Sequence, residues 1–163
     1  MSLDDGSVGQ PSVLTIYRDE WRRGPYANEG VVPPPKATKL GLTLLLDEQG
    51  QKCCLGFDAL ACGWTTAQIL GLSTPESVVR SAMAQTVAIP AGYESRVRTR
   101  PRFKPGSPGF GSVVENTRAV WLAMEANDKG DIDEPTREAQ VREHLIELGW
   151  DDVVFLDTRP EGA

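Results

Sequence analysis

Three kinds of side chain in this sequence carry chemistry by their nature: the adjacent thiols of Cys53 and Cys54, the single imidazole of His144, and a run of guanidinium groups from Arg96 to Arg102. A thiol placed where an extended segment runs into a helix N-terminus feels the helix dipole, which favours thiolate and suits a nucleophile. Such a nucleophile needs a base, for which His144 is the one histidine, and an orienting group, for which Asn127 or Asp128 serves if their helix packs on that of His144. The chemistry would be acyl or related group transfer. Against it, free cysteine is among the most buried residue types, and neighbouring residues on a strand point to opposite faces. Structural packing is therefore the favoured reading of both thiols.

Cys53, Cys54, Cys62 and His144 form a nominal four-ligand set for zinc, yet the spacing lacks the C-x-x-C clip that presents two thiolates to one ion. Asp128, Asp131, Asp133 and Glu134 miss the alternation and central glycine of a calcium loop, and Asp133 and Glu134 sit where a helix N-terminus favours negative charge. No metal and no other cofactor is expected. The arginine run is more informative. Arg96, Arg98, Arg100, Arg102 and Lys104 recur at every second position, so an extended backbone arrays them on one face, with Phe103 available for stacking. That pattern suits a phosphate-bearing or nucleotide-like ligand. The simpler alternative is a solvated segment tethered by surface ion pairs worth about 0–1 kcal/mol each, although long Arg-rich loops in small domains usually have a task.

Composition narrows the classes further. The chain has 163 residues, the size of one domain, with 40% hydrophobic residues and only 7% aromatic ones. Its 23 acidic side chains outnumber 17 basic ones, for a formal net charge of -6 that works against bulk attraction to nucleic acid or anionic membranes. No run approaches the roughly 20 apolar residues of a membrane span, and the start MSLDDGSVGQ lacks a signal peptide's basic and apolar regions, so the expected address is the cytoplasm. An odd count of three cysteines, two of them adjacent, reads as thiols and not as a disulfide framework.

The elements that must position these groups follow from local patterns. Residues 1–12 are polar and read as a disordered lead, residues 13–157 as a single α+β domain, and residues 158–163 as a tail. Val13 to Tyr17 has strand character, and the following DEWRRG reads as a turn or short helix that turns Trp21 inward. Pro33, Pro34 and Pro35 mark an extended linker. Leu42 to Leu46 and Gln51 to Leu55 flank turn chemistry at Asp47 to Gly50, which predicts a β-hairpin whose second arm enters a small-residue helix, Gly56 to Cys62, stopping at Gly63. Thr65 with Gln68 has capping-box spacing before a helix at 66–70, and Thr74 before Pro75 starts another, with Val78, Val79, Ala82 and Met83 on its apolar face and an end near Gln85.

The stretch 86–111, rich in Arg, Pro and Gly, reads as a long mobile loop. Ser112 with Glu115 has capping-box spacing again, and Val113, Thr117, Val120, Trp121 and Met124 recur at helical period, which predicts a helix from 112 onward. Asp133 to Leu148 is the last helix, with Gly149 as its stop, and Val153 to Leu156 the last strand. The expected architecture is α+β: a small antiparallel sheet containing the hairpin, built from the Val13, Leu42, Gln51 and Val153 segments and packed against several helices.

One short pattern goes beyond propensity. The pentapeptide KCCLG at Lys52 to Gly56, preceded by Trp21 and Gly24 and followed by Asn127-Asp128, resembles a family of small proteins from tailed bacteriophages and prophages with a CCLG hairpin and a later Asn-Asp pair. The likeness spans residues 13 to about 157, while the Arg/Pro stretch and the Pro33 to Pro35 linker depart from it. It implies a phage origin and brings no established activity. Together these readings favour a non-catalytic accessory protein that binds a host macromolecule or an anionic ligand through the arginines. The alternatives are a cysteine-dependent enzyme and a purely structural role in which CCLG packs Trp21 and Trp121 beneath the hairpin.

Overall fold

A computed structural model describes residues 13–23, 44–101 and 112–161. Strand β1 (Val13–Tyr17) opens the fold and strand β4 (Asp152–Leu156) closes it. The two pair in parallel, Val13 opposite Asp152 and Tyr17 opposite Leu156. Parallel neighbours need a crossover, and here the rest of the described chain supplies it. Leu14 and Ile16 alternate inward on β1, Val153 does so on β4, and Phe155 packs against Trp21 at 5.3 Å between ring centroids.

Between them run α1 (Cys54–Ala61), α2 (Thr66–Ile69), α3 (Pro75–Ala84), a 3-10 turn (Tyr93–Arg96), β2 (Val97–Pro101), β3 (Ser112–Asn116), α4 (Arg118–Asp128) and α5 (Glu134–Glu147). β2 and β3 form an antiparallel pair, with Arg98 opposite Glu115 and Arg100 opposite Val113. α1 lies against β1 and α4, α5 against α4 and β4, and α3 against β3. The buried apolar residues of these elements form one cluster around Trp21, Leu55, Ile69, Val120 and Leu145. The fold is α+β with a small antiparallel sheet, as expected, but other segments make that sheet.

Several local signals read correctly. Thr65 and Gln68 form a reciprocal capping box, Thr74 caps α3 ahead of Pro75, and Asp133 accepts from the Thr136 amide to cap α5. Gly63 and Gly149 take positive φ just past α1 and α5. Each of these depends on residues within a few positions of one another. α3 ends in a Schellman arrangement: the Val87 amide donates to Ala82 O at 2.8 Å and the Thr86 amide to Met83 O at 3.2 Å, with Thr86 at φ 55°. Glycine is the usual occupant of that position because a side chain there costs roughly 1–2 kcal/mol. Thr86→Gly is expected to stabilise the protein by about 1 kcal/mol, read as a rise of about 2–4 °C in thermal unfolding. An unchanged or lower midpoint would contradict it.

Several expectations need correction. The Val13 and Val153 segments pair in parallel, not antiparallel, and the antiparallel pair is 97–101 with 112–116. Among the described residues the expected hairpin at 42–46 and 51–55 is not laddered. Leu46 instead bridges to Leu70 and Lys52 to Trp21, while Cys54 and Leu55 already belong to α1. The turn between them does form, with Asp47 Oδ1 accepting from the amides of Gln49 and Gln51. Leu42, Gly24 and Pro33 to Pro35 lie outside the described residues, as do 1–12, 102–111 and 162–163.

Ser112 to Asn116 is a strand and not a capped helix start, and the helix begins at Arg118. The β-branched pair Val113-Val114 meets an extended arm at Val97 to Pro101, which satisfies its backbone better than a frayed helix turn would. Trp121 is consequently turned out, 52% exposed, and does not pack with Trp21. Residues 93–101 of the expected loop are a 3-10 turn and a strand. Arg159, in the expected tail, pairs with Glu20 at 2.7 Å and lies over the Tyr17 ring. Among the described residues, no helix is long and apolar enough to cross a membrane.

Candidate functional site

The motif residues converge on one side chain. Helix α1 begins at Cys54, and Cys53 at its N-cap provides no side-chain hydrogen bond to the free amides. The first turn of any helix leaves four N–H groups to be satisfied from outside. Here the Cys54 amide donates to Asn127 Oδ1, at 2.9 Å, from the C-terminal end of α4. Trp21 Nε1 donates to the same oxygen at 2.7 Å, while Asn127 Nδ2 donates to Arg22 O at 3.1 Å and to Asp128 Oδ1 at 2.8 Å. An amide side chain has two donor hydrogens and two oxygen lone pairs, and all are used here in the one orientation these partners permit. Trp21 and Asn127 are fully buried.

The neighbouring contacts hold this node closed. Arg137 of α5 is buried and donates to the carbonyls of Ala126 and Asn127, capping the end of α4. The Trp21 segment is zipped to KCCLG by Lys52 N to Glu20 O at 2.8 Å and Arg22 N to Lys52 O at 2.7 Å. Gly56 has a steric reason: a Cβ there would stand 1.8 Å from Leu45 O. CCLG therefore marks a helix N-terminus pressed against backbone and capped by a distant asparagine.

That setting decides the state of the thiols. Cys53 and Cys54 are both buried. Burial, reinforced by the charge of Asp128, pushes the Cys53 thiol up to about 12, and burial raises Cys54 well above the ordinary thiol value. Both are protonated at neutral pH, in spite of the helix N-terminus beside them. Cys54 Sγ lies 3.7 Å from Ala123 O as a buried donor. His144 faces Glu147 of its own helix at 3.5 Å, and the partners of Asn127 are Trp21, Cys54, Arg22 and Asp128. The structure thus joins Cys54, Asn127 and Asp128 but leaves His144 out of that node. Among the described residues no group of three or more His, Cys, Asp or Glu side chains is placed to hold a metal ion.

The arginines divide into two groups. Arg96 is buried and grips Asp58 of α1 with two donors, Nε at 3.2 Å and a terminal nitrogen at 2.8 Å. Burial works to lower its pKa, but the hydrogen bonds and charge of Asp58 prevail and raise it. Trp150 Nε1 adds a third donor to Asp58 at 2.8 Å. Arg96 is thus a core ion-pair partner and does not share a face with the others. Arg98 and Arg100 do share one: their side chains are 68% and 62% exposed, and both reach Glu115, at 3.2 and 2.7 Å. Arg102, Phe103 and Lys104 lie outside the described residues.

Asp58 and Trp150 were not anticipated. The one signal for Asp58 was a lone carboxylate inside the otherwise small and apolar run Gly56 to Cys62. Asn116 repeats the role of Asn127: buried at the end of β3, it accepts from the Glu76 amide at 2.8 Å and so caps α3 from a distance. The chain is an α+β domain in which buried asparagines from distant elements satisfy N-terminal amides of two helices, α1 and α3, with a basic hairpin on its surface. No family model, curated protein or solved structure matches this chain.

Proposed function

We propose that this chain is a non-catalytic binding protein of the tailed-phage type, working in the cytoplasm of a bacterial host, whose basic hairpin holds an anionic partner, either a host macromolecule or a phosphate-bearing ligand. The observation that carries this reading is the outer face of β2, where Arg98 and Arg100 stand exposed and share the single carboxylate of Glu115. Two cations against one anion leave a net positive edge, and the alternation continues in the sequence through Arg102 and Lys104. Arg118 is exposed just beyond β3, and Arg80 of α3 reaches Val114 O on that strand. In a protein of net charge -6, a local basic edge confines anion attraction to one place. The buried, protonated thiols favour this reading over a cysteine nucleophile.

The test is capture of partners from bacterial lysate by the tagged protein beside its Arg98→Ala/Arg100→Ala/Arg102→Ala variant, with bound protein, nucleic acid and small ligands identified together. A partner held by the parent should bind the variant at least about tenfold more weakly, a loss of about 1.4 kcal/mol. It should also be released as ionic strength rises toward about 1 M, where the screening length falls to about 3 Å. Partners whose affinity is unchanged in the variant would overturn the proposal.

A further inference from the structure

Arg98 and Arg100 stand two positions apart on β2, so both side chains rise from one face, and Glu115 is the cross-strand neighbour of Arg98 on that face. The Glu115 carboxylate is divided between them. Its Oε2 accepts from Arg98 Nε at 3.2 Å, while its Oε1 lies 2.7 Å from a terminal nitrogen of Arg100. Two guanidiniums therefore converge on a single oxyanion, and one oxyanion is enough to engage both at once.

Glu115 leaves much of this pair unused. It brings one negative charge to two positive ones, and two oxygens to two forks that carry five N–H donors each. Each guanidinium spends one nitrogen on it. A phosphate monoester carries about -1.5 to -2 charge at neutral pH and three strong acceptor oxygens, so it answers both the charge and the donors that Glu115 leaves over. Glu115 is also easily displaced. Its side chain is 23% exposed and those of its partners 68% and 62%, and ion pairs so open to water hold weakly. Charge-assisted, bidentate bonds from arginine to phosphate are stronger and specific in geometry.

We infer that Arg98 and Arg100 form a binding site for one phosphate monoester group, and that Glu115 occupies this site in the free protein and is displaced by the ligand. The site rests on the reading of the hairpin as an anion-binding edge and narrows the ligand to a terminal phosphate. A phosphodiester or a carboxylate offers one charge and two free oxygens, as Glu115 already does. The chain thus carries its own competitor.

Phenyl phosphate is the probe, titrated at fixed ionic strength into the full chain labelled with 15N while the arginine Nε–H and β2 amide resonances are followed. Arg98→Lys and Arg100→Lys each remove one Nε–H resonance and so assign the pair. Saturable movement of both is expected, and diphenyl phosphate and benzoate should bind at least about tenfold more weakly. Lysine keeps the charge but loses the fork, so Arg98→Lys/Arg100→Lys should weaken phenyl phosphate at least about fivefold. Glu115→Gln should tighten it by about three- to tenfold. Glu94→Gln removes an equal charge from an exposed position in the turn ahead of β2, and should change the affinity less than about twofold. The indole N–H resonances of Trp21 and Trp150 report the fold in every variant.

A Glu115→Gln protein that binds no more tightly, or a Glu94→Gln protein that matches its gain, overturns the competitor. Lysines that bind as well as arginines, a diester that binds as well as the monoester, or β2 resonances that ignore phenyl phosphate overturn the phosphate site and leave the anion-binding edge standing. Unchanged binding by Arg98→Ala/Arg100→Ala overturns both.

Discussion

Asn127→Ala is expected to lower the free energy of unfolding by about 3–5 kcal/mol, because it strips two buried donors of their acceptor at about 1–3 kcal/mol each and leaves a small cavity. The donors are the Cys54 amide, at the unsatisfied end of α1, and the Trp21 indole. Against a whole-domain stability of about 5–15 kcal/mol this is a large fraction. Urea unfolding followed by circular dichroism measures it. A double-mutant cycle with Trp21→Phe separates the two donors: with the indole N–H already gone, Asn127→Ala should cost less than it does alone. Strict additivity, or a loss below about 0.5 kcal/mol of the kind seen for surface positions, would show that Asn127 does not organise the node.

Asp58→Ala should be as damaging for a different reason. Asp58 is fully buried and receives Arg96 through two hydrogen bonds and Trp150 through a third. Removing one partner of a buried ion pair leaves an uncompensated charge and typically costs about 3–5 kcal/mol. For a chain of this length that is a fall of roughly 6–20 °C in thermal midpoint, at about 2–4 °C per kcal/mol. Replacing both charges at once, Asp58→Leu with Arg96→Met, should recover a substantial part of the loss, since no charge is then left buried. The recovery stays incomplete because Trp150 still loses its acceptor. A double variant less stable than Asp58→Ala would mean that the pair contributes more than its own desolvation costs.

Asp58 and Glu115 separate the roles of the arginines. Arg96 belongs to the core through Asp58, so its removal damages the fold. Among the described residues Arg98 and Arg100 pair with Glu115 at the surface, each contact worth about 0–1 kcal/mol. Changing them should therefore disturb binding without disturbing folding, which is what makes the triple-arginine variant an informative partner test.

Whatever depends on neighbours within a turn or two could be read from the order of residues. The strand character of Val13 to Tyr17, the capping box at Thr65, the Thr74-Pro75 start of α3, and the acidic start and Gly149 stop of α5 were all legible, because each depends on residues a few positions apart. The residues Trp21, CCLG and Asn127-Asp128 could be picked out of the sequence, but what joins them could not. The start of α1 at Cys54 follows from long-range packing, since the acceptor that satisfies this amide lies 73 positions away. The same holds for Arg96, whose carboxylate partner is 38 positions distant, and for Ser112 to Asn116, whose helix-like spacing yields to pairing with Val97 to Pro101. A local signal for a strand or a helix N-terminus differs from its competitor by about 1 kcal/mol or less, while each buried donor or charge left without its partner costs several-fold more. Where the two conflict, the distant partner wins.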